Sequence, residues 1–346
     1  MATFSVPVVD ISSYVSSGSD AQRAEVARAL DHACSTIGFL QVIGHGIPSS
    51  SISAIATAMD TFFSLPMDAK AAFRAPPEVN RGYSPPRSES LSLSLGIRSP
   101  DGAYDLFESF NVGSQASAFR TMELPAKHYP DNIWPSELPG FRPAVEAYFL
   151  EAGRVARTLT EIFADALGLT SRFFAPFTDR SIDVMRMNNY AGPVGSLVGP
   201  PKGMGEHTDY GIVTVLWADQ IPGLQVLGVD NNWHDVLPVD DALLINLGDL
   251  TARWTNDRWR STLHRVVPPV VNGHLLRRRS VAFFHDGNPD AVIETLPTCL
   301  DATGSSFYGR TTVAEHLDAK LSGSRAGLVN DNAERETQRV WAAGLT

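Results

Sequence analysis

Apolar residues recur with two different periods along this chain, and the change of period organises it. Over the first 170 or so residues they fall at helical spacing. Val26, Leu30, Ala33, Cys34 and Ile37 form a stripe that follows Ser19-Asp20-Ala21-Gln22, the Ser-x-x-Gln form of a capping box, and Gly38 stops it. The spacing predicts a helix with Cys34 on its core face. Phe39 to Ile43 is a short apolar run that reads as a strand, ended by Gly44-His45-Gly46-Ile47-Pro48. A second stripe, Ile52, Ile55, Met59 and Phe62, predicts another helix. Residues 68–139 are rich in Ser, Pro, Gly and Arg with short apolar pieces such as Leu106 to Val112, a pattern of loops and edge strands. A long amphipathic helix is then expected from Val145, Tyr148, Ala152, Val155, Leu159, Ile162 and Phe163, closed by Gly168 and bracing a sheet.

After Ser181 the pattern switches to short runs split by Gly, Pro, Asn and Asp: 184–190, 212–217, 224–227, 233–236, 243–247, 260–267 and 280–285. Many short strands with regular turn signals predict a sandwich or jelly roll. Two stretches, 312–321 and 333–343, return to helix. The expectation is a mainly β protein in one compact unit: an N-terminal helical and loop region over 1–125, a jelly-roll core over 180–290 and a C-terminal helical segment over 291–346.

Composition narrows the function. With 43% hydrophobic and 19% charged residues, the 346-residue chain is of ordinary globular type and long enough to fold without a disulfide or structural metal. Lys and Arg number 28 against 38 Asp and Glu, and the basic residues are dispersed except for Arg277-Arg278-Arg279. A nucleic-acid partner is therefore not expected. No apolar run is long enough for a membrane span, and Met1 to Ser5 lacks the pattern of a secretion signal. Cys34 and Cys299 form no CxxC pair, which fits a reducing compartment, so the cytoplasm is the expected location. Oligomeric state is not readable.

One constellation carries chemistry. In His207-Thr208-Asp209 the two side chains stand two residues apart, so in an extended segment both face one point. A second histidine would complete the two-His, one-carboxylate facial triad of non-haem Fe(II), and His264, in the strand-like Trp259 to Val267, is the candidate. Downstream, Arg278 and Ser280 also share a face, and a guanidinium fork with an added hydroxyl makes a seat for a carboxylate. Three adjacent arginines leave Arg277 or Arg279 as alternatives to Arg278. His45, in its Gly-His-Gly turn, reads as structural. His285 is either a pocket residue or a strand end.

These residues resemble the isopenicillin-N-synthase-like branch of the Fe(II)/2-oxoglutarate-dependent dioxygenases. Val6-Pro7-Val8-Val9-Asp10, the segment Gly38 to Pro48 and Phe62-Phe63-Ser64-Leu65-Pro66 are similar to its N-terminal region. Met187-Asn188-Asn189-Tyr190 is similar to its Asn-Tyr-Tyr-Pro strand, departing at Asn189 and Ala191, and Asn246-Leu247-Gly248-Asp249 to the segment before the distal histidine. The stretch Pro268 to Leu276 is longer than usual. The resemblance implies a double-stranded β-helix with helices on both flanks. It implies Fe(II) on His207, Asp209 and His264, and 2-oxoglutarate on Arg278 and Ser280 with Asn188 and Tyr190 in contact. O2 is then the oxidant and a small-molecule metabolite the substrate, most simply hydroxylated, with desaturation or cyclisation as other outcomes; succinate and CO2 are released. An oxidase of the same branch that binds its own substrate's carboxylate at Arg278, a non-catalytic jelly-roll binder and a zinc hydrolase remain as alternatives. Phe110, Phe284, His285 and a C-terminal helix around Trp341 are the expected pocket walls.

Overall fold

Ser19 accepts a hydrogen bond on its side chain from the backbone of Gln22, while its own amide donates to the Gln22 side chain, a complete capping box that opens the first long helix. Gly38, at φ +74°, follows the end of that helix in a conformation that favours glycine. The computed structural model describes residues 4–76, 78–96, 105–119, 122–193, 203–326, 328, 330, 335, 338 and 340. Among these, the elements run β1 (Val8–Asp10), α1 (Ser12–Val15), α2 (Asp20–Thr36), β2 (Phe39–Ile43), α3 (Ser49–Phe63), α4 (Met67–Ala71), β3 (Gly82–Ser84) and β4 (Phe107–Gly113). They continue with α5 (Phe141–Ala166), α6 (Ala175–Thr178), β5 (Val184–Pro193), β6 (Met204–His207), β7 (Val213–Ala218), β8 (Leu224–Leu227), β9 (Trp233–Asp235) and β10 (Leu243–Leu247). Last come α7 (Asp249–Trp254), β11 (His264–Val266), β12 (Val270–Val271), β13 (His274–His285), β14 (Val292–Ile293), β15 (Thr311–Thr312) and α8 (Val313–Ala326).

Apart from the separate pair β14-β15, the described strands form a jelly roll of two unequal sheets. The larger runs β1-β2-β10-β7-β13-β5-β4-β3, with β12 beside β13, and the smaller runs β6-β11-β8-β9. Strand alternation gives the large sheet two faces. On β5 and β13, Met185, Met187, Val281 and Phe283 join the core shared with Val145, Ala152, Leu159 and Phe163 of α5. The alternate residues face the small sheet, where Tyr190 and Phe107 pack with Leu224, Val226 and Val266. One large sheet thus lies between a helical layer and a small sheet, and the site forms in the second gap.

Several details depart from expectation. The strand expected at Phe39–Ile43 and the edge strand near Leu106 to Val112 form as β2 and β4, and the first half adds β1 and β3, whose positions were not expected. β6 lies where only a Gly-rich approach to His207 was expected, and the strand expected over 260–267 is confined to His264–Val266. The long stretch Pro268 to Leu276 is accounted for by β12 and the start of β13, joined at Asn272 (φ 51°) and Gly273 (φ 75°), an Asn-Gly hairpin turn. Cys34 is fully buried in the core, as expected. Phe110 is buried in an aromatic cluster with Phe62 and Phe141, so it is core and no pocket wall. The expected helix over 333–343 and Trp341 lie largely or wholly outside the described residues. No described helix is long and apolar enough to cross a membrane.

Candidate functional site

β6 and β11 are neighbours in the small sheet, and their register sets His207 directly opposite His264. Their rings stand 4.2 Å apart between centroids. Asp209 follows in the loop after β6, and its Oδ1 lies 3.8 Å from Nε2 of each histidine. The three ligand atoms fall within 4.8 Å of one another, and all three side chains are buried.

Hydrogen bonds orient each group. Nδ1 of His207 donates to the Gly205 carbonyl at 2.8 Å, and Nδ1 of His264 to the Thr262 carbonyl at 3.0 Å. A ring whose Nδ1 donates presents Nε2 as a lone pair, the tautomer a metal requires. Burial, and then the adjacent imidazole of His264, lowers the pKa of His207 to about 3, so the ring is neutral and able to ligate. Oδ2 of Asp209 accepts from Thr214 Oγ1 at 2.5 Å and from Asn246 Nδ2 at 2.6 Å, which leaves Oδ1 toward the histidines. Phe39 sets its ring edge-on to His264 at 5.3 Å. Two nitrogens and one oxygen converging from one side are the donor set of a facial-triad iron site.

The adjacent wall is carried by β5 and β13, paired so that Arg278 faces Tyr190 and Ser280 faces Asn188. Period-two alternation separates the three arginines. Arg278, Ser280, Ala282 and Phe284 line the same cavity as the triad. Arg277 and Arg279 emerge on the other face, where Arg277 pairs with Asp60 at 2.7 Å and Arg279 with Asp60 at 2.8 Å and with Asp219 at 3.3 Å. Arg278 is 2% exposed, and its Nε has no partner among the described residues. Its guanidinium carbon lies 5.4 Å from the Tyr190 ring centre, and burial lowers its pKa. Asn188 donates weakly to Ser280 at 3.4 Å, and burial pushes the Tyr190 hydroxyl up to about 12. A buried guanidinium without a counter-ion is costly unless a carboxylate completes it.

The remaining sequence candidates divide. Phe284 lines the cavity as expected. His285, one position on, turns to the helical side, where it is buried and holds Asp183 at 2.9 Å. His45 is structural: Nε2 contacts the Asp241 carbonyl at 3.1 Å and Nδ1 accepts from the Ile47 amide at 3.0 Å. Asn189 explains its departure from the Tyr of the motif, since it faces away from the cavity and bridges Glu108 and Arg277. Sequence reasoning missed Thr214 as an orienter of Asp209, and it missed Arg186, Tyr210 and Asp286 as lining residues. A polar residue on an otherwise apolar strand, as in Thr214, was the available signal.

Comparison with known proteins agrees with this geometry. Residues 6–137 match the family model described as non-haem dioxygenase in morphine synthesis N-terminal, and residues 182–287 that of the 2OG-Fe(II) oxygenase superfamily. The chain is 32% identical to the 2-oxoglutarate-Fe(II) type oxidoreductase hxnY of Emericella nidulans, over 91% of this chain and 89% of that protein. It is 33% identical to the validamycin A dioxygenase of Streptomyces hygroscopicus subsp. limoneus, over 91% of this chain and 85% of the other. A full-length Neurospora crassa protein, solved in complex with alpha-KG and thymine, superposes with a TM-score of 0.80 at 29% identity, covering 92% of this chain and 96% of that one. Relatedness over nearly the whole length, on the fold and motif order already described, shows that this chain belongs to the Fe(II)/2-oxoglutarate-dependent oxygenases.

Proposed function

We propose that His207, Asp209 and His264 hold Fe(II), that Arg278 and Ser280 seat the distal carboxylate of 2-oxoglutarate beside Asn188 and Tyr190, and that the enzyme hydroxylates a small-molecule metabolite. The observation that carries this reading is the sharing of one cavity by an oriented two-His, one-carboxylate triad and a buried guanidinium that has no counter-ion among the described residues. With the metal bound, O2 and 2-oxoglutarate supply the oxidising power for C–H cleavage, leaving succinate and CO2. The protein's own residues do the positioning. Thr214 and Asn246 fix Asp209, backbone carbonyls fix both imidazoles, and Arg278 and Ser280 fix one end of the co-substrate by charge-assisted hydrogen bonds. Phe39, Leu224 and Val266 exclude water from that end.

Hydroxylation is supported by relatives named homoarginine-6-hydroxylase and proline hydroxylase. Those substrates, validamycin A and thymine differ widely, so the substrate of this chain is set by the far wall of its cavity. The acidic charge balance and the absence of a membrane-length helix among the described residues support action in the cytoplasm without a nucleic-acid partner.

The deciding experiment is an anaerobic titration of 2-oxoglutarate into the Fe(II)-loaded protein, monitored by the visible charge-transfer band of a keto acid chelated to iron. A saturable band that disappears in His264→Ala is expected. Iron binding with no band would instead favour an oxidase whose own substrate meets Arg278.

A further inference from the structure

The cavity extends beyond the triad to a second polar end. On β13 the lining residues Arg278 and Phe284 are six positions apart, roughly 20 Å of extended strand. Asp286, just past the end of β13, therefore lies far from the Arg278 end. β5 runs antiparallel, with Ala282 opposite Arg186 and Phe284 opposite Val184, so Arg186 stands on the cavity wall midway between Arg278 and Asp286. Asn80 lines the cavity too, between apolar walls that include Leu91, Phe284 and Leu317.

Three features of the cavity beyond Arg278 are unexplained by folding. The first is Asp286. It is 6% exposed and faces the cavity, and its carboxyl group makes no hydrogen bond or ion pair with the described residues. A buried carboxyl without a partner costs stability that packing does not return. It is nonetheless held firmly. The Asp286 amide donates to Asp183 at 3.2 Å, and the next amide, of Gly287, donates to Ser181 at 2.7 Å. Gly211 makes the room, since a Cβ there would stand 2.0 Å from Asp286 Oδ1. The second feature is Arg186, whose Nη1 pairs with Glu89 at 2.9 Å while its buried Nε has no partner among the described residues. The third is Asn80. Its carbonyl oxygen accepts from Asn111 at 2.7 Å and from Arg325, and its side-chain N–H groups meet no acceptor among the described residues.

An acceptor and two donors thus line the part of the cavity beyond Arg278. Asp183 and Asp209 are the acidic groups electrostatically coupled to Asp286, and Arg81 is the basic one. A hydroxyl offered to Asp286 would bring its own lone pairs into this acidic surround, whereas an amide N–H or ammonium brings only hydrogens. Resting on the oxygenase reading above, we propose that Asp286 accepts a hydrogen bond from a nitrogen of the substrate and that Arg186 and Asn80 take an oxygen of the same molecule. The substrate class is a small compound that carries a hydrogen-bearing nitrogen and a carbonyl or carboxylate oxygen. The nitrogen comes either from an amine, as in an amino acid, or from a cyclic amide.

The test uses the full chain loaded with Mn(II) and 2-oxoglutarate, which binds without turnover, and calorimetric titration with matched probes. Proline is compared with tetrahydrofuran-2-carboxylate, and 2-pyrrolidinone with γ-butyrolactone, so that each pair differs in N–H against O. At least one nitrogen member is expected to bind about tenfold or more tightly than its oxygen partner. That preference is expected to vanish in Asp286→Leu. In Asp286→Asn it is expected to vanish for the amine and persist for the amide, which separates the two sources. Equal binding within both pairs, no binding of either nitrogen compound, or a preference that survives Asp286→Leu overturns the proposal. Thermal midpoints equal to or above that of the unaltered protein are expected for both variants, because an unpaired buried carboxyl is removed. Failure of the unaltered protein to bind 2-oxoglutarate in the first titration would sink the oxygenase reading itself, whereas 2-oxoglutarate binding without N–H preference sinks this inference alone.

Discussion

Asn246 donates its side-chain N–H to Oδ2 of Asp209 at 2.6 Å, and so decides which carboxylate oxygen the two histidines see. Thr214 holds the same oxygen from β7. Partners of this kind, one bond removed from a metal, typically contribute 10- to 100-fold in affinity. Asn246→Ala is therefore expected to weaken Fe(II) or Co(II) binding by roughly that factor while the fold survives, since only a short buried amide is lost. Metal titration followed by absorbance checks it. An affinity unchanged within about twofold would mean that Thr214 alone orients Asp209.

Arg278 offers a sharper contrast, because its neighbours serve as internal controls. It is buried on the cavity face, whereas Arg277 and Arg279 form ion pairs with Asp60 on the opposite face. Removing one partner of a buried charge pair costs several kcal/mol, so Arg278→Ala is expected to raise the KM for 2-oxoglutarate by about a hundredfold or more. Arg278→Lys should recover only part of this, since a point charge cannot fork onto a carboxylate. Arg277→Ala and Arg279→Ala are expected to stay within about threefold, as partly exposed ion pairs contribute little. A large effect at either flanking arginine would move the co-substrate to the other face of β13.

The contrast among these arginines also shows what the sequence could carry. His207 and Asp209 were legible because residues two apart in an extended segment face one point, although only His207 lies within β6. Which of three consecutive arginines points inward was not legible, because it depends on the register of β13 against β5, and a β-bulge near Leu275 resets that register. β6 escaped detection because Gly203-Met204-Gly205 has the composition of a turn; only pairing with β11 makes it a strand. Phe110 and Phe284 look alike in sequence, yet one faces the helices and the other the cavity. The polar wall beyond Arg278 was equally hidden, since Asn80, Arg186 and Asp286 come from three separated segments that only the closed fold assembles.

Gly38 links backbone geometry to the metal site. It sits at φ +74°, and a Cβ there would stand 2.1 Å from the Arg260 carbonyl oxygen and 2.7 Å from Thr262 Oγ1. The Thr262 carbonyl in turn accepts the Nδ1 hydrogen bond of His264. Gly38→Ala is expected to destabilise the protein by more than roughly 2 kcal/mol, combining left-handed strain with a backbone clash. It is also expected to weaken metal binding. Gly168→Ala is the control: φ is +66° but nothing lies within 4 Å of the added carbon. There the cost should be about 1 kcal/mol, with metal affinity intact. Chemical denaturation together with metal titration of both variants reads the two effects separately.

Asp105 makes stability depend on pH. Its Oδ1 accepts from the Gly205 amide at 2.7 Å and its Oδ2 from the Leu91 amide at 3.1 Å, so it ties the segment before β4 to the start of β6. Burial outweighs these two bonds and pushes its pKa up to about 7. The unfolded chain would titrate near 3.9, so between about pH 4 and pH 7 the folded state holds a proton that the unfolded state has lost. The stabilising contribution is thus complete below about pH 4 and is lost as pH rises through 7. Asp105→Asn cannot ionise and lacks this dependence. The stability of the unaltered protein relative to Asp105→Asn is therefore expected to fall between about pH 4 and pH 7, read from thermal midpoints at matched ionic strength. Parallel curves over that range would show that Asp105 is ionised throughout, its two backbone donors having prevailed over burial. Because the Gly205 carbonyl also receives Nδ1 of His207, the same titration is expected to loosen the small sheet first at its metal-binding edge.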